Sequence, residues 1–368
     1  MSMNNLNSKI AYLVLADRTV FKGYSMGLEG TAIGEVVFNT CSSSYQELLS
    51  DPTYYGQIVA QTYPLVSNRV ESTSDEHVMA NGYIVREWFD SASTIGDDNT
   101  ATLNSYLKSR NVVGICGIDT RRLTRVLRDK GYFKGAITNS IDNIDELIAN
   151  INNYSINGAV SAVTTKEPYT VDVENAVYTL AVMDYGYPKS AIKPYLDRCC
   201  NIRVYPAFTK ADDVLKDKPD GIILPDGPGD PDDDIELVEE IKKFYQSDLP
   251  IMAIGLGHQM LALATGAEIE KMSHGHRGSN QPVKCLDTSK LMVTTQNHGY
   301  AVSEKTINTQ IAEVSAVNVN DNTVEGIDYY NKKIISLQFN PVDGKGYQDT
   351  AWYYDKFFEY LKETVTDV

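Results

Sequence analysis

The regular alternation of apolar strands with helices between residues 179 and 264 constrains the fold more than any other feature of the sequence. Strands are predicted over residues 179–183, 201–205, 221–224 and 251–254, and helices over residues 189–198, 211–216, 235–245 and 259–264. Parallel strands require crossover connections, and helices in those crossovers cover the faces of the sheet. The pattern therefore predicts an α/β domain built on a mainly parallel sheet.

The earlier part of the chain has a different pattern. Short strands are predicted within residues 11–21 and 35–39, and Asp119 is a predicted N-cap for a helix with an apolar face. Residues 158–177 show neither helical nor strand periodicity. Because 368 residues exceed what one hydrophobic core usually serves, we predict a mixed β/α domain over 1–157, a linker over 158–177 and a second domain over 178–368.

Composition argues against several classes of partner. The net charge of −16 disfavours nucleic acid and anionic membranes, which attract proteins through Lys and Arg. The sequence has no run of about 18 apolar residues, the length that spans a bilayer, and residues 1–9 are polar, unlike a signal peptide. The five cysteines form no Cys-x-x-Cys pair. These features predict a cytoplasmic protein with reduced thiols.

The strand over residues 251–254 runs directly into Gly-Leu-Gly-His-Gln at residues 255–259 and then into a helix. A strand, a sharp turn and a helix in this order expose the nucleophile of many hydrolases. The turn residue here is Gly255, which has no nucleophilic side chain. Because glycine reaches positive φ without the steric cost of other residues, we expect Gly255 to stabilise the turn.

Several motifs together resemble the small, glutamine-amidotransferase subunit of carbamoyl phosphate synthetase. In the second half they are residues 226–231 (Asp-Gly-Pro-Gly-Asp-Pro, similar to the family's oxyanion loop), 255–259, 274–282 and 296–300 (Gln-Asn-His-Gly-Tyr). In the first half they are residues 34–40, 45–47, 51–54 and 117–121. The resemblance spans about residues 10–361 and implies a small-subunit N-terminal domain followed by a flavodoxin-like class I amidotransferase domain.

The resemblance also shows where this chain departs from the family. Gly255 stands in place of the family's reactive Cys, and Asn340 and Val342 stand in place of its His and Glu. Amide hydrolysis by such a triad needs a thiolate nucleophile, a histidine to move protons and a carboxylate to orient that histidine. None of these three side chains supplies its role, so we predict that glutaminase activity is absent.

Other family positions are kept. The positions that hold the substrate glutamine in the family correspond here to Thr53, Gly227, Gly229, Leu256, Gln259, Asn297, Gly299 and Tyr300. His274 and His276 are spaced like a short metal-binding pair, but the family keeps this loop without metal. We therefore predict no metal and assign the two histidines a structural or interface role.

Two features have alternative interpretations. Cys41 lies near the segment that contains Thr53 and is a candidate for a relocated nucleophile, although no histidine partner is evident. Arg121, Arg122, Arg125 and Arg128 follow Asp119, and they form either a solvated helical face, which we favour, or a docking surface on an otherwise acidic protein.

The resemblance implies a partner and a role. A carbamoyl phosphate synthetase large subunit would bind this chain, carry the ATP and magnesium sites and use free ammonia, whereas this chain would hold no cofactor. Two alternatives remain open: a sensor that binds glutamine or another amino acid without cleaving it, and an enzyme repurposed for another reaction. The sequence is compatible with arginine synthesis, pyrimidine synthesis or a more specialised pathway.

Overall fold

The structure is a computed structural model that describes residues 9–41, 45–66, 70–71, 77–88, 100–131, 133–341 and 348–366. It divides into two compact units, residues 1–156 and 157–368. Among the described residues, no helix combines the length and the apolar character needed to cross a bilayer.

The first unit is built mainly from strands, with four helices among its described residues. Its strands are β1 (Ile10–Leu15), β2 (Val20–Gly27), β3 (Ala32–Asn39), β4 (Gln57–Gln61), β5 (Leu65–Val66), β6 (Val70–Glu71), β7 (Gly82–Ile84), β8 (Glu87–Trp88), β9 (Thr100–Ala101), β10 (Val113–Cys116) and β11 (Phe133–Thr138). Its helices are α1 (Tyr45–Ser50), α2 (Leu103–Ser109), α3 (Thr120–Lys130) and α4 (Ile144–Asn153).

A closed barrel forms the centre of this unit, with strand order β1-β11-β3-β4-β7-β10-β2. Strands β3, β4, β7 and β10 pair in parallel, and the remaining neighbours in the barrel pair antiparallel. Leu13, Ile58, Ile84, Ile115 and Ile137 are fully buried in one cluster of apolar side chains. Closure leaves none of these seven strands with an unpaired edge.

Helix α3 begins as the sequence predicted. Asp119 is its N-cap, and the Asp119 carboxylate accepts a hydrogen bond from the backbone N–H of Arg122 at 2.9 Å. Leu123 and Leu127 are buried, and Val126 is half-buried beside them. The arginines at 121, 122, 125 and 128 lie on the exposed faces, which leaves both interpretations of that surface open.

The second unit contains one large sheet with helices. Its strands are β12 (Tyr169–Val171), β13 (Tyr178–Asp184), β14 (Cys200–Pro206), β15 (Gly221–Leu224), β16 (Ile251–Ile254), β17 (Ile269–Cys285), β18 (Leu291–Val302), β19 (Ala312–Asn318), β20 (Val324–Tyr329) and β21 (Ile334–Leu337). Its helices are α5 (Ala159–Val163), α6 (Lys193–Leu196), α7 (Ala211–Lys216), α8 (Ile235–Gln246), α9 (Leu256–Ala264) and α10 (Trp352–Thr366).

The ten strands follow the order β12-β14-β13-β15-β16-β21-β20-β19-β17-β18. The central strands from β14 to β21 pair in parallel, as the alternating pattern predicted. Strand β12 at one edge and strands β20, β19, β17 and β18 at the other pair antiparallel. Because β15, β16 and β21 are parallel neighbours, their carboxyl ends lie side by side at the same edge of the sheet. The site described next lies at that edge.

The segment 158–177, expected to be an irregular linker, contains regular structure. Helix α5 and strand β12 lie within it, and β12 pairs with β14 as the outermost strand of the large sheet. Elements of five and three residues are too short to show a hydrophobic period.

Candidate functional site

The elbow predicted at Gly255 is present. Strand β16 is fully buried and ends at Ile254, Gly255 has φ 54° and ψ −114°, and helix α9 begins at Leu256. The Gly255 N–H donates to the carbonyl oxygen of Leu337 at 2.9 Å, which ties the turn to the end of β21. Because this backbone conformation is unfavourable for residues with a Cβ, glycine suits the turn.

A carboxylate occupies the space in front of the elbow. A Cβ placed on Gly255 would lie 2.1 Å from Oδ1 and 2.2 Å from Cγ of Asp226. Asp226 is only 6% exposed, and its Oδ1 accepts hydrogen bonds from the backbone N–H groups of Leu256 at 3.0 Å and Gly227 at 2.9 Å. Any side chain at position 255 would therefore have to displace the Asp226 carboxylate.

Asn340 lies on the other side of the same carboxylate. Its Nδ2 donates to Oδ2 of Asp226 at 3.3 Å, and its backbone N–H donates to the Thr295 carbonyl at 3.0 Å. An amide has no titratable proton near neutral pH, so Asn340 cannot act as a general base. The structure thus brings Gly255 and Asn340 together, whereas Val342 lies outside the described residues.

Two side chains of helix α9 are held in the interior. His258 is 0% exposed, its Nδ1 lies 2.7 Å from the Ser336 hydroxyl, and burial lowers the pKa of His258 to about 3. Gln259 donates through Nε2 to the carbonyl oxygen of Tyr300 at 2.8 Å and to Oε1 of Gln338 at 2.9 Å. Both side chains thus connect helix α9 to neighbouring segments, and the glutamine-binding role expected for Gln259 stays a prediction.

The predicted glutamine-holding residues are divided between the two units. Seven lie in the second unit: Gly227, Gly229, Leu256, Gln259, Asn297, Gly299 and Tyr300. Tyr300 is linked to α9 through Gln259, and Leu256 and Gly227 both donate to Asp226. Thr53 lies in the first unit, where its hydroxyl and its N–H both donate to Oδ1 of Asp51, at 2.7 and 3.0 Å.

One small cavity adjoins Asp226 and Asn340. A cavity of about 20 Å³ is lined by Asp226, Asn340, Tyr187, Tyr195 and Ile254, among others. That volume holds one water molecule, and none of the residues expected to hold glutamine lines this cavity.

A second cluster of charged groups, with His276 and Glu325 buried and Asp321 exposed, lies on strands β17 and β20 and in the turn after β19. The His276 imidazole contacts Oδ2 of Asp321 at 2.9 Å through Nε2 and Oε1 of Glu325 at 3.3 Å through Nδ1. Burial alone would lower the pKa of His276, but the hydrogen bonds and charges of these two carboxylates outweigh it and raise that pKa to about 9. Burial raises the pKa of Glu325, which is fully buried and also accepts from Gln296 at 2.9 Å.

This cluster bears on the metal prediction. One ligand atom each from His276, His298 and Glu325 lie within 4.8 Å of one another, a grouping that could hold a metal ion. The Nδ1 of His276 already contacts Glu325, and the imidazolium supplies a positive charge between Glu325 and Asp321. We therefore keep the prediction of no metal at this loop. His274, the other member of the predicted pair, lies on β17 and contacts the Ser273 hydroxyl at 3.0 Å.

Sequence reasoning missed the role of Asp226. The glycines of the loop 226–231 match the family pattern and predict an intact oxyanion loop, but they give no weight to the first residue of that loop. Two features of the sequence could have indicated that role: the loop begins with an acidic residue, Asp226, and the elbow position holds Gly255, which has no side chain. Cys41, the alternative candidate for a relocated nucleophile, lies in the first unit just after β3 and is half-buried.

Comparisons with known proteins identify the family of both units. Residues 13–137 match the family model for the carbamoyl-phosphate synthase small chain, CPSase domain, and residues 181–360 match that for class-I glutamine amidotransferases. The chain is 40% identical to the carbamoyl phosphate synthase small chain of Vibrio parahaemolyticus, over 97% of this chain and 99% of that protein. It is also 40% identical to the small chain of Clostridium perfringens, over 95% of this chain and 99% of that protein.

Among solved structures, a putative GMP synthase component from Thermoplasma acidophilum matches with a TM-score of 0.43 and 18% identity. The match covers 51% of this chain and 94% of the other, and it is too distant to carry an argument.

Proposed function

Because this chain belongs to the family of carbamoyl phosphate synthase small chains, we propose that it is a small subunit that does not hydrolyse glutamine. In this proposal it binds a large subunit, which makes carbamoyl phosphate from free ammonia, bicarbonate and ATP. The large subunit holds ATP and magnesium, and this chain holds no cofactor. We also propose a cytoplasmic location, in keeping with the reduced cysteines and the acidic composition.

The elbow is the observation that carries this proposal. The step that begins amide hydrolysis is attack by an activated nucleophile, and Gly255 has none to offer. The residue that would move protons is an amide, Asn340, and it donates to Asp226. Removing a base alone can leave residual activity, but without a nucleophile no acyl-enzyme forms.

The near-complete coverage of small-chain relatives supports a partner-binding role. Relatives at 40% identity align over 97% of this chain, so the resemblance includes the first unit as well as the amidotransferase-like unit. The barrel of that unit and the exposed arginines on α3 are candidate surfaces for contact with the large subunit. Which of the two contributes is left to experiment.

The proposal is tested with a large subunit from the same source. We expect one complex in size-exclusion chromatography with light scattering, and carbamoyl phosphate formation with ammonium chloride that exceeds that of the isolated large subunit. With glutamine as the nitrogen donor, we expect no product above the level given by contaminating ammonia. Glutamine-dependent synthesis, or the absence of any complex, would contradict the proposal.

The sensor hypothesis is less well supported by the geometry. Asp226 already accepts from Leu256 and Gly227, two of the residues that were expected to hold glutamine. Saturable binding of glutamine to the isolated chain in calorimetry would nevertheless favour the sensor. The described structure offers no specific observation for a repurposed enzyme.

A further inference from the structure

We propose that the Asp226 carboxylate is a built-in ligand of the vacated oxyanion site, which it fills in place of a substrate and closes to carboxamides. This inference goes beyond the absence of a triad, because it assigns a binding role to a residue that the triad does not include. It concerns the second unit alone and requires no partner subunit.

The first argument is the identity of the donors. At a nucleophile elbow, the backbone N–H of the residue after the nucleophile position is one of the groups that stabilise the oxyanion. Here that residue is Leu256, and its N–H donates to Oδ1 of Asp226 at 3.0 Å. The Gly227 N–H, from the facing loop, donates to the same oxygen at 2.9 Å. A carboxylate oxygen therefore occupies the place where such donors would meet a developing negative charge.

The second argument is space. The Asp226 carboxylate overlaps the position of a first side-chain atom at residue 255, with Oδ1, Cγ and Oδ2 at 2.1, 2.2 and 2.7 Å from that point. A glutamine carboxamide approaching the elbow would have to enter the same volume. The carboxylate and the carboxamide therefore exclude one another at the elbow.

The third argument is the second carboxylate oxygen. Oδ2 accepts from Nδ2 of Asn340 at 3.3 Å, so both oxygens of Asp226 face hydrogen-bond donors. Gly255 and Asn340, two of the departures from the family triad, each contribute to this arrangement: one leaves room for the carboxylate, and the other donates to it. A buried carboxylate needs such donors, because an unpaired one is strongly disfavoured.

The test is chemical rescue on the full-length chain without a partner. In Asp226→Ala the donors of Leu256 and Gly227 lose their acceptor, and we expect Tm to fall by about 4–8 °C. Sodium formate supplies a carboxylate of the right size and should then raise Tm by about 3–5 °C at ten times its half-saturating concentration. The reference titration uses sodium chloride at the same ionic strength. The wild-type protein, whose site is filled, should show no such difference between the two salts.

The matched control is Asp230→Ala, in the same loop. Asp230 accepts from the Asp232 N–H at 3.1 Å, whereas the N–H groups of Leu256 and Gly227 donate to Asp226. Its removal should lower Tm slightly, and formate should not restore the loss.

Asp226→Ser, which keeps one hydroxyl acceptor, replaces Asp226→Ala in the same titration if the alanine variant does not fold. Formate-specific stabilisation of either variant, or folding of either variant only in formate, supports the built-in ligand. The proposal is overturned if formate acts equally on the wild-type protein and the variant, or restores neither variant. Because the large subunit takes no part in this experiment, its result is independent of whether the chain supports ammonia-dependent synthesis.

Discussion

The elbow around Gly255 and the cluster around His276 both bury carboxylates in the second unit, but they stabilise them differently. Asp226 is held by backbone N–H groups and by the neutral amide of Asn340. Glu325 and Asp321 are instead held by an imidazolium. The backbone N–H groups reach Asp226 only while the chain keeps its conformation at Gly255. The charge of the His276 imidazolium is present only while the ring is protonated. The two clusters should therefore fail under different perturbations.

The largest expected effect comes from Glu325→Ala. This change removes a fully buried carboxylate and leaves His276, Gln296 and Asn318 without a shared partner. We expect a loss of about 3–5 kcal/mol in the free energy of unfolding, because a buried charge network is broken on one side. Urea denaturation followed by tyrosine and tryptophan fluorescence measures it.

Glu325→Gln is the matched control for that variant. It keeps the shape and one acceptor oxygen and should cost clearly less than the alanine variant. Equal losses for the two substitutions would show that the lost charge, which both remove, and not the packing or the acceptor oxygen, decides the stability of the His276 cluster.

Gly255→Ala should have the next largest effect. The new methyl group adds the cost of positive φ to a collision with Asp226, and we expect a loss of about 2–4 kcal/mol. The matched control is Gly266→Ala, at φ 93°, where a Cβ would meet no described atom within 4 Å. That control should lose only about 1 kcal/mol. Indistinguishable urea midpoints for the two variants would show that the carboxylate does not crowd the elbow.

The pH dependence of stability should separate the two clusters. The pKa of His276 is raised by Asp321 and Glu325 to about 9 in the folded protein, above its ordinary value of 6.5. Its contribution is therefore fully present below about pH 6.5 and is lost as pH rises through about 9, by on the order of 2–3 kcal/mol.

His276→Gln is the control for this profile, since it removes the titrating group. The difference between the wild-type and variant profiles of unfolding free energy isolates the His276 contribution from the other alkaline titrations. A constant difference from pH 6 to pH 10 would contradict the ion-pair interpretation.

Asn340→Ala should have the smallest effect of the four. It removes one donor at 3.3 Å from a carboxylate that keeps its two backbone donors, so we expect a loss of about 1 kcal/mol. Asn340→Asp is the informative companion, because a second carboxylate beside Asp226 should cost more at neutral pH than at low pH. If both variants match the wild-type urea midpoint, Asn340 does not bind Asp226 in solution.

The sequence alone predicted much of the second unit. The alternation of strands and helices located the parallel strands β13 to β16, and the run from Ile251 to Gln259 located the elbow, because both features are local in the chain. The N-cap of α3 at Asp119 was predicted for the same reason. The family resemblance is confirmed by the comparisons, and the proposed absence of glutaminase activity stays a prediction.

The remaining features depend on contacts between distant residues. The barrel closes partly through pairing of β3 with β11, for which the local pattern gives no register. The hairpin of β17 and β18 was not predicted as strands, since its register shifts between Lys271 and His276 and again between Gly278 and Gln281. The direction of the Asp226 side chain could not be predicted either, because it depends on the space left by Gly255, 29 positions later in the sequence.

The close approach of Asp226 to Gly255 also limits how this chain can change over evolutionary time. A thiol introduced at position 255 would place its first carbon 2.1 Å from a carboxylate oxygen, so that single substitution meets a steric barrier before it can offer any new chemistry. A substitution at position 226 has to come first, and one that leaves no side-chain acceptor there deprives the N–H groups of Leu256 and Gly227 of their partner. Because of this short contact, the order in which substitutions at positions 226 and 255 occur matters as much as their identity.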